Sequence, residues 1–546
     1  MTLSQTGFDY IVIGGGSAGC VLANRLSADP AVRVALIEAG PSDRSFPANL
    51  KTSLPAGNLF LLPHAKYNWQ YRFAPHTGVN GRELPCPRGK VLGGCSSING
   101  SVYIRGHRLD YDEWASLGNP GWGWDEVLPV FKSFENHADG ANAWHGTGGE
   151  LQVSIPPGTN PLSHAFVKAA VSVGHAHNPD PNGAEQDGFG LTHVTQNHGV
   201  RSSASRAFLH PIWHRPNLTV MTETRVERID LRGHRATGVT VVRDGQRVSL
   251  TASTEVVLSG GAVASPQLLM LSGIGPSADL SRLGIPVVGD LPGVGANLQD
   301  HPTVQVSNLN PSAESYALTA RTFPRVASAP LAWLLARRGM LASNAAEAGG
   351  YLRTLPDLDR PDIQMTFVVG LKAAVQKLPR VHGMMLMVHL MRPLSRGRIT
   401  LQSTDPAQAP LLQPNFLSDK ADVDTLMRGV REARRILAAD SFKPYVGDEV
   451  TPGAQHQSDA ELDTAIRSQV GTAYHPVGTC KMGPDSDPMA VVDAELRVKG
   501  MENLRVADAS IMPRVIGGNT NAPAMMIGER AARFMLQARQ TLRQAA

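Results

Sequence analysis

The start of the chain constrains its fold most. Asp9-Tyr10-Ile11-Val12-Ile13 is a short apolar run of the kind that forms a buried strand. Gly14-Gly15-Gly16-Ser17-Ala18-Gly19 follows at once, then a helical run from Cys20 to Leu26, then a second apolar run from Val32 to Ile37 that ends in Glu38. Strand, G-x-G-x-x-G turn, helix, strand and acid in that order form a dinucleotide-binding fingerprint. Gly14 permits the tight turn, Gly16 lets a pyrophosphate approach the backbone, and Gly19 lets helix and strand pack closely. The helix N-terminus offers unpaired N–H groups and a positive dipole end to phosphates. Glu38, 24 residues after Gly14, is spaced to accept both hydroxyls of an adenosine ribose. The motif does not distinguish NAD from FAD.

A length of 546 residues exceeds one small core, so two domains are expected. Hydrophobic residues at 42% and charged residues at 18% fit a soluble globular protein. The net charge is +4 without a dense Lys/Arg block, so nucleic acid is not an expected partner. Cys20, Cys86, Cys95 and Cys480 are scattered; they show no metal-ligand spacing and no disulfide framework. No metal is expected, and a reducing cytoplasm is the simplest location. Met1 to Gly7 has neither the charged nor the apolar region of a signal peptide. No stretch reaches the 18 apolar residues of a membrane span.

Strands are expected at Asn217–Val226, Gly238–Arg243, Glu255–Leu258, Asp362–Val369, Gly383–Leu390 and Gly397–Gln402. A short helix is expected over Ser265–Ser272, with Pro266 near its favoured first position. Leu318–Leu341 reads as mostly helical, interrupted near Pro324 and Pro330, and carries Arg321, Arg325, Arg337 and Arg338. Asp422–Ala439 is an amphipathic helix, and a last helix runs from about Asn521 to the end. The expected fold is α/β: a Rossmann-like nucleotide domain with an inserted α+β substrate domain, an antiparallel sheet flanked by helices. The first domain is taken as residues 1–155, 196–310 and 470–546, and the second as 156–195 and 311–469.

Four further stretches stand out. They are Gly89-Lys90-Val91-Leu92-Gly93-Gly94-Cys95-Ser96-Ser97-Ile98-Asn99, the run from Gly261 to Gly275, the run Leu291 to Pro302 that ends Gln299-Asp300-His301-Pro302, and a C-terminal set. That set holds His475-Pro476-Val477-Gly478-Thr479-Cys480-Lys481-Met482-Gly483, Val506–Ser510 and Gly517-Gly518-Asn519-Thr520-Asn521-Ala522-Pro523. With these stretches in this order, the chain from Phe8 to about Leu536 resembles the glucose–methanol–choline (GMC) oxidoreductases, most of all the bacterial choline dehydrogenase-like alcohol dehydrogenases. Cys95 stands where the family more often has Ser, Gly or Thr, a conservative departure.

The resemblance implies FAD. It assigns Gly14, Gly16, Ser17, Ala18, Gly19, Glu38 and Ala39 to the ADP half, and Val226 to the backbone beside adenine. Gly93, Gly94, Ser97, Asn99, Gly100, Ser101 and Val102 are placed along the isoalloxazine, while Asp508, Ala509, Asn519, Thr520 and Pro523 close over pyrophosphate and flavin. Members with covalent flavin have His where this chain has Ile98, so noncovalent FAD is expected. Oxidation of an alcohol needs an acceptor for the hydroxyl proton, and neutral imidazole suits that task. Among 18 histidines, His475 matches the family's catalytic position. Asn519 matches the second position; its amide can hold an alcohol oxygen but is a poor base.

Glu347 is open to two readings: a carboxylate facing the trimethylammonium group of choline, or, as expected here, a structural Glu paired with an Arg. Tyr103, Trp69 and Tyr351 are candidates for a pocket wall or for core. The C-terminal helix carries Arg530, Arg533, Arg539 and Arg543 among Met and Leu; peripheral membrane contact is one use of such a helix, packing on its own domain the expected one. The implied function is FAD-dependent oxidation of an uncharged primary alcohol to its aldehyde, with choline as the alternative substrate. The expected electron acceptor is quinone-like, with O2 as the alternative. A hydroxynitrile lyase and a flavin-binding protein without catalysis are the readings from other classes.

Overall fold

A computed structural model describes residues 6–371 and 378–545. The fingerprint folds as expected. β1 (Gly7–Ile13) and β2 (Val34–Ile37) pair in parallel, and three glycines separate the end of β1 from the start of α1 (Ser17–Leu26). On the far side of β1 lies the long strand Gln246–Leu258, also parallel, and Leu504–Val506 extends the parallel set beyond it. Leu218–Met221 pairs with β2. Arg235–Arg243 pairs antiparallel with the Gln246 strand, and Thr224–Arg232 pairs antiparallel with Arg235–Arg243, which completes this seven-stranded sheet. The expected strand over 217–226 is therefore two strands. The break falls at Glu223, whose φ of 52° turns the chain between them.

A second seven-stranded sheet is antiparallel throughout. Its path runs from Glu449–Thr451 through Pro302–Leu309, Gly383–Leu390, Ile363–Val368 and Ala348–Leu352 to Gly188–Leu191, with Gly471–Thr472 pairing beside Pro302–Leu309. The helix Lys420–Leu437 covers it. Asp419 accepts from the Ala421 N–H at its N-terminus, and Val423, Leu426, Met427, Val430, Ala433 and Ile436 recur on the buried face. A division that follows the sheets counts 302–309 with the second unit rather than with the expected 196–310 segment; we offer it as a proposal.

Two helices differ from expectation. The helix expected at Ser265 spans Gly261–Leu271, so Pro266 lies inside it. The lost proline N–H is compensated locally: the Ala262 carbonyl, which that N–H would have met, accepts from Thr479 Oγ1 at 2.7 Å. The 318–341 region is helical only over Phe323–Ala336, with Pro324 in the first turn, where its missing N–H costs nothing. The C-terminal helix Asn521–Ala545 buries Met525, Met526, Ile527 and Ala531 and packs along α1. Arg530 stacks on Trp122 and Phe534, and Arg533 pairs with Glu529. The helix is packed on its own domain over this face; the side chain of Arg543 lies outside the described residues.

Gly19 makes the tightest contact in the fingerprint. A Cβ there would stand 1.9 Å from the Gly14 carbonyl oxygen. That atom is backbone and cannot swing away, so Gly19→Ala must push α1 off the turn. We expect a loss of roughly 1–3 kcal/mol or more, seen as a lower Tm of the FAD-free protein together with weaker FAD retention. An unchanged Tm and full flavin content would show that the turn yields freely.

Candidate active site

One cavity of about 1560 Å³ runs between the two sheets. Gly14, Gly16, Ser17, Ala18, Glu38, Ala39 and Val226 line one end. Gly94, Asn99, Gly100, Ser101 and Val102 line the middle, with Asp508, Ala509, Thr520, His475 and Asn519. Of the expected site residues, Gly19, Gly93, Ser97 and Pro523 do not reach the wall. They stand behind it. Gly93 donates to the Gly15 carbonyl at 2.7 Å and so ties the second glycine loop to the fingerprint. The Ser97 hydroxyl donates to the Leu92 carbonyl at 2.7 Å. Pro523 is buried in the first turn of the C-terminal helix.

The cavity's end fits an anionic dinucleotide. α1 has Gly16 at its N-cap and no side chain capping its N–H groups, and those groups border the cavity. Glu38 accepts from Gly15 N at 3.0 Å and Gly40 N at 2.8 Å. Each oxygen keeps a lone pair for a further donor. Burial pushes the Glu38 carboxyl up to about 7, so a ribose diol that replaces lost hydration is a natural complement. Asp508 is held differently. Its carboxylate accepts from Gly261 N, Ser265 Oγ and Ser510 N at 2.6–2.8 Å, which fixes the Gly261 helix against the loop after Val506.

Backbone pairing assembles the polar centre. Residues 299–303 and 471–477 run antiparallel: Thr303 pairs with Gly471 and Pro302 with Thr472, and Gln299 and Val477 exchange both hydrogen bonds. Asp300 tightens this zipper. It accepts from His301 N at 2.7 Å, His475 N at 2.8 Å and Thr472 Oγ1 at 2.5 Å. His301 and His475 therefore face each other, Nδ1 to Nδ1, at 3.0 Å.

Proton positions follow from this geometry. His301 Nε2 lies 3.1 Å from the Ile516 carbonyl, which can only accept, so Nε2 carries hydrogen. Burial, with His389 and Arg392 nearby, lowers the His301 pKa to about 3, so the ring is neutral and its Nδ1 is an acceptor. His475 Nδ1 must then be the donor. Burial, helped by His301, His389 and Arg88, holds the His475 pKa well below its usual value. Its Nε2, in a residue on the cavity wall, is left without a proton. Asn519 Nδ2 donates to that nitrogen at 3.0 Å, while Asn519 Oδ1 accepts from Gln364 Nε2, which also meets Tyr351 OH. The arrangement holds an unprotonated base beside an amide donor.

Reading the sequence missed Asp300 and His301, although the Gln299-Asp300-His301-Pro302 stretch carried them. It also missed Arg201. Arg201 is fully buried with no carboxylate partner, and its guanidinium donates to Ser96 O, Asn99 Oδ1, Ser101 Oγ and Pro55 O. It braces the loop expected along the isoalloxazine. Burial lowers its pKa to about 9.

Glu347 pairs with no arginine, contrary to expectation. It is fully buried, accepts from Asn160 N, Ser163 Oγ, Tyr316 OH and Ser343 Oγ, and is not on the cavity wall. Hydroxyl and amide donors satisfy the carboxylate, and they bind Pro161–Ser172, the loop before Phe323 and the second sheet into one unit. Among the described residues that the second sheet turns to the cavity, none is a carboxylate. Tyr103 is buried core beside Arg105 and does not line the cavity; Trp69 does, and Tyr351 acts through Gln364.

Comparison with known proteins accords with this geometry. The GMC oxidoreductase family models match residues 8–303 and 393–528. An alcohol dehydrogenase [acceptor] of Pseudomonas putida is 45% identical over 535 residues, 97% of this chain and 96% of its own length. The mitochondrial choline dehydrogenase of Mus musculus is 45% identical over 96% of this chain and 89% of its own. The crystal structure of pyridoxine 4-oxidase from Mesorbium loti superposes with a TM-score of 0.86 at 33% identity, covering 96% of this chain and 98% of that one. Fingerprint, cavity and sequence agree: this chain belongs to the GMC oxidoreductase family and is an FAD-binding oxidoreductase.

Proposed function

We propose that the protein oxidises an uncharged primary alcohol, aliphatic or aromatic, to the aldehyde, with His475 as the base. The unprotonated Nε2 of His475 carries this reading, set beside Asn519 in a cavity whose second-sheet wall has no carboxylate among the described residues. His475 Nε2 takes the hydroxyl proton, and Asn519 Nδ2 holds the alcohol oxygen as charge develops on it. Gln364 keeps the Asn519 oxygen turned away, so its NH2 faces the reacting centre. His301 keeps the His475 proton on Nδ1. Bound FAD supplies the acceptor for the hydride that leaves the carbinol carbon.

The acceptor we favour is a quinone-like carrier, with O2 as the alternative; the Pseudomonas putida relative is named for an unspecified acceptor. Choline is the second substrate reading, favoured by the name of the mouse relative. The absence of a carboxylate on the second-sheet wall, among the described residues, argues against it. We place the protein in the cytoplasm, with peripheral membrane association as a further option. No described helix is long and apolar enough to cross a membrane. Ile98, buried against the cavity, cannot bond to flavin, so the FAD is noncovalent.

Stopped-flow flavin reduction without air tests the reaction. Benzyl and medium-chain alcohols should bleach the flavin with a higher kcat/KM than choline; choline as the best substrate would overturn the main reading. His475→Ala should slow reduction by about 10²–10⁴-fold for every alcohol, and its residual rate should rise with pH as hydroxide takes over. Asn519→Ala should be slower with the wild-type pH dependence. Reduction by His475→Ala within a few-fold of wild type would exclude His475 as base.

Acid precipitation of the yellow holoprotein should leave its colour in the supernatant. Flavin in the pellet would mean a covalent bond.

His301 gives a pH prediction. A base works above its folded pKa and fails as pH falls through it. With the His475 pKa held well below 6.5, reduction should be flat from neutral into mildly acidic pH. His301→Phe removes the acceptor for the Nδ1 proton and one cause of the lowered pKa. The rate constant of reduction should fall by up to about 10²-fold, KM should change less, and the acid limb should move up toward neutrality. An unmoved acid limb would leave His301 a merely structural residue.

A further inference from the structure

The Phe323–Ala336 helix is apolar on both sides. Its inner side is anchored: Trp333 packs with Leu54 and Ala342, and its indole N–H donates to the Gly199 carbonyl at 2.8 Å. Its outer side presents Phe323, Leu331, Leu334 and Leu335, with exposures of 61%, 59%, 57% and 78%. Leu331, Leu334 and Leu335 stand at i, i+3 and i+4, so they share one stripe. A surface helix ordinarily turns polar residues outward, and a contiguous exposed apolar stripe marks an interaction surface.

The charge carried by the segment that holds this stripe has one sign. Residues 315–346 contain Arg321, Arg325, Arg337 and Arg338, but no Asp, Glu or Lys. Among the described residues, none of the four makes an ion pair. Arg325 donates to the carbonyls of Glu314 and Ser315, and Arg337 lies over the Trp333 ring at 4.0 Å. Two arginines lie toward each end of the helix, and the leucines lie between them.

The stripe borders the cavity. Val326, Ala329 and Pro330 of this helix line it, as do Leu59 and Phe60, which are themselves exposed. A hydrogen bond from Ala56 N to the Leu341 carbonyl ties the two rims together.

We infer that the outer face of the Phe323–Ala336 helix is a docking surface for an anionic lipid bilayer, seating the mouth of the cavity against the membrane. Exposed leucines enter the boundary between headgroups and acyl chains, and the arginines meet anionic headgroups. A second copy of the chain is a poorer occupant: a two-fold contact would set like-charged arginine fringes against each other. The inference rests on the proposed function only for its use, since an apolar alcohol and a quinone-like acceptor both dissolve in a bilayer.

Flotation of the holoenzyme with vesicles tests the surface. The protein should float with phosphatidylcholine vesicles containing phosphatidylglycerol, float poorly with phosphatidylcholine alone, and be partly released by high salt. Leu334→Ser/Leu335→Ser and Arg321→Gln/Arg338→Gln should each lose flotation. Both should keep wild-type flavin reduction by a water-soluble alcohol and a wild-type rate with a soluble dye, because none of the four side chains lines the cavity. Wild-type protein that stays at the bottom of the gradient, or variants that float as wild type does, would overturn the docking surface. A wild-type dimer in sedimentation velocity that the leucine variant splits would overturn it in favour of a second copy. Flotation is read without turnover, so intact flotation beside a failed alcohol panel supports the docking surface and overturns the proposed substrate.

Discussion

The close approach of Gly19 to the Gly14 carbonyl is the contact on which the rest of the site depends. It sets α1 directly behind the end of β1, where the uncapped N–H groups of α1 border the cavity. The C-terminal helix then packs on α1 through Gly528, where a Cβ would stand 2.6 Å from the Ala18 carbonyl oxygen. Ser17 and Asn521, 504 positions apart, share a 2.8 Å hydrogen bond, and Arg25 and Glu529 pair at 2.6 Å. Through this helix pair the fingerprint that begins the chain and the Asn519 segment that ends it share one wall. A side chain at either glycine would separate dinucleotide and substrate chemistry by moving a helix, without altering any polar residue.

The polar centre is ruled by burial rather than by charge pairing. Removing imidazole from water disfavours its cation, and no carboxylate oxygen lies against either ring to restore it. Asp300 is near, but it spends its lone pairs on two backbone N–H groups and the Thr472 hydroxyl, and burial raises its pKa to about 6. His301 and His475 are therefore both neutral. With both rings neutral and the Ile516 carbonyl fixing a hydrogen on His301 Nε2, the chain of hydrogen bonds leaves Nε2 of His475 without a proton. The Ile516 carbonyl, which never meets substrate, thus determines which nitrogen is basic.

Two other carboxylates, Glu347 and Glu135, are buried. Glu347 is satisfied by hydroxyl and amide donors, and Glu135 is paired with Arg105 and His145. Arg201 is buried without a carboxylate partner behind the loop proposed to lie along the isoalloxazine, and the arginines around the Phe323 helix stay at the rim. A second-sheet wall without a carboxylate among the described residues and a basic, apolar rim suit an uncharged substrate delivered from an anionic lipid surface.

The sequence by itself determined the parts whose physics is local. Strand, glycine turn and helix around Gly14–Gly19 follow from residues in direct succession. The amphipathic Lys420–Leu437 helix follows from its period, and His475 and Asn519 stood out in long signature stretches. Helix limits were less visible: Pro266 reads as a helix start until Thr479, more than two hundred residues away, supplies the donor for the carbonyl that the proline leaves free. The readings of Glu347 and His301 lay wholly beyond the sequence. Whether Glu347 faces a ligand or the core depends on donors from two other segments, Asn160 with Ser163 and Tyr316, besides its neighbour Ser343. His301 and His475 lie 174 positions apart and meet only because residues 299–303 and 471–477 zip together. Tertiary structure alone decided which nitrogen carries a proton and which carboxylates are hidden, because hydrogen-bond partners and burial are properties of space, not of order along the chain.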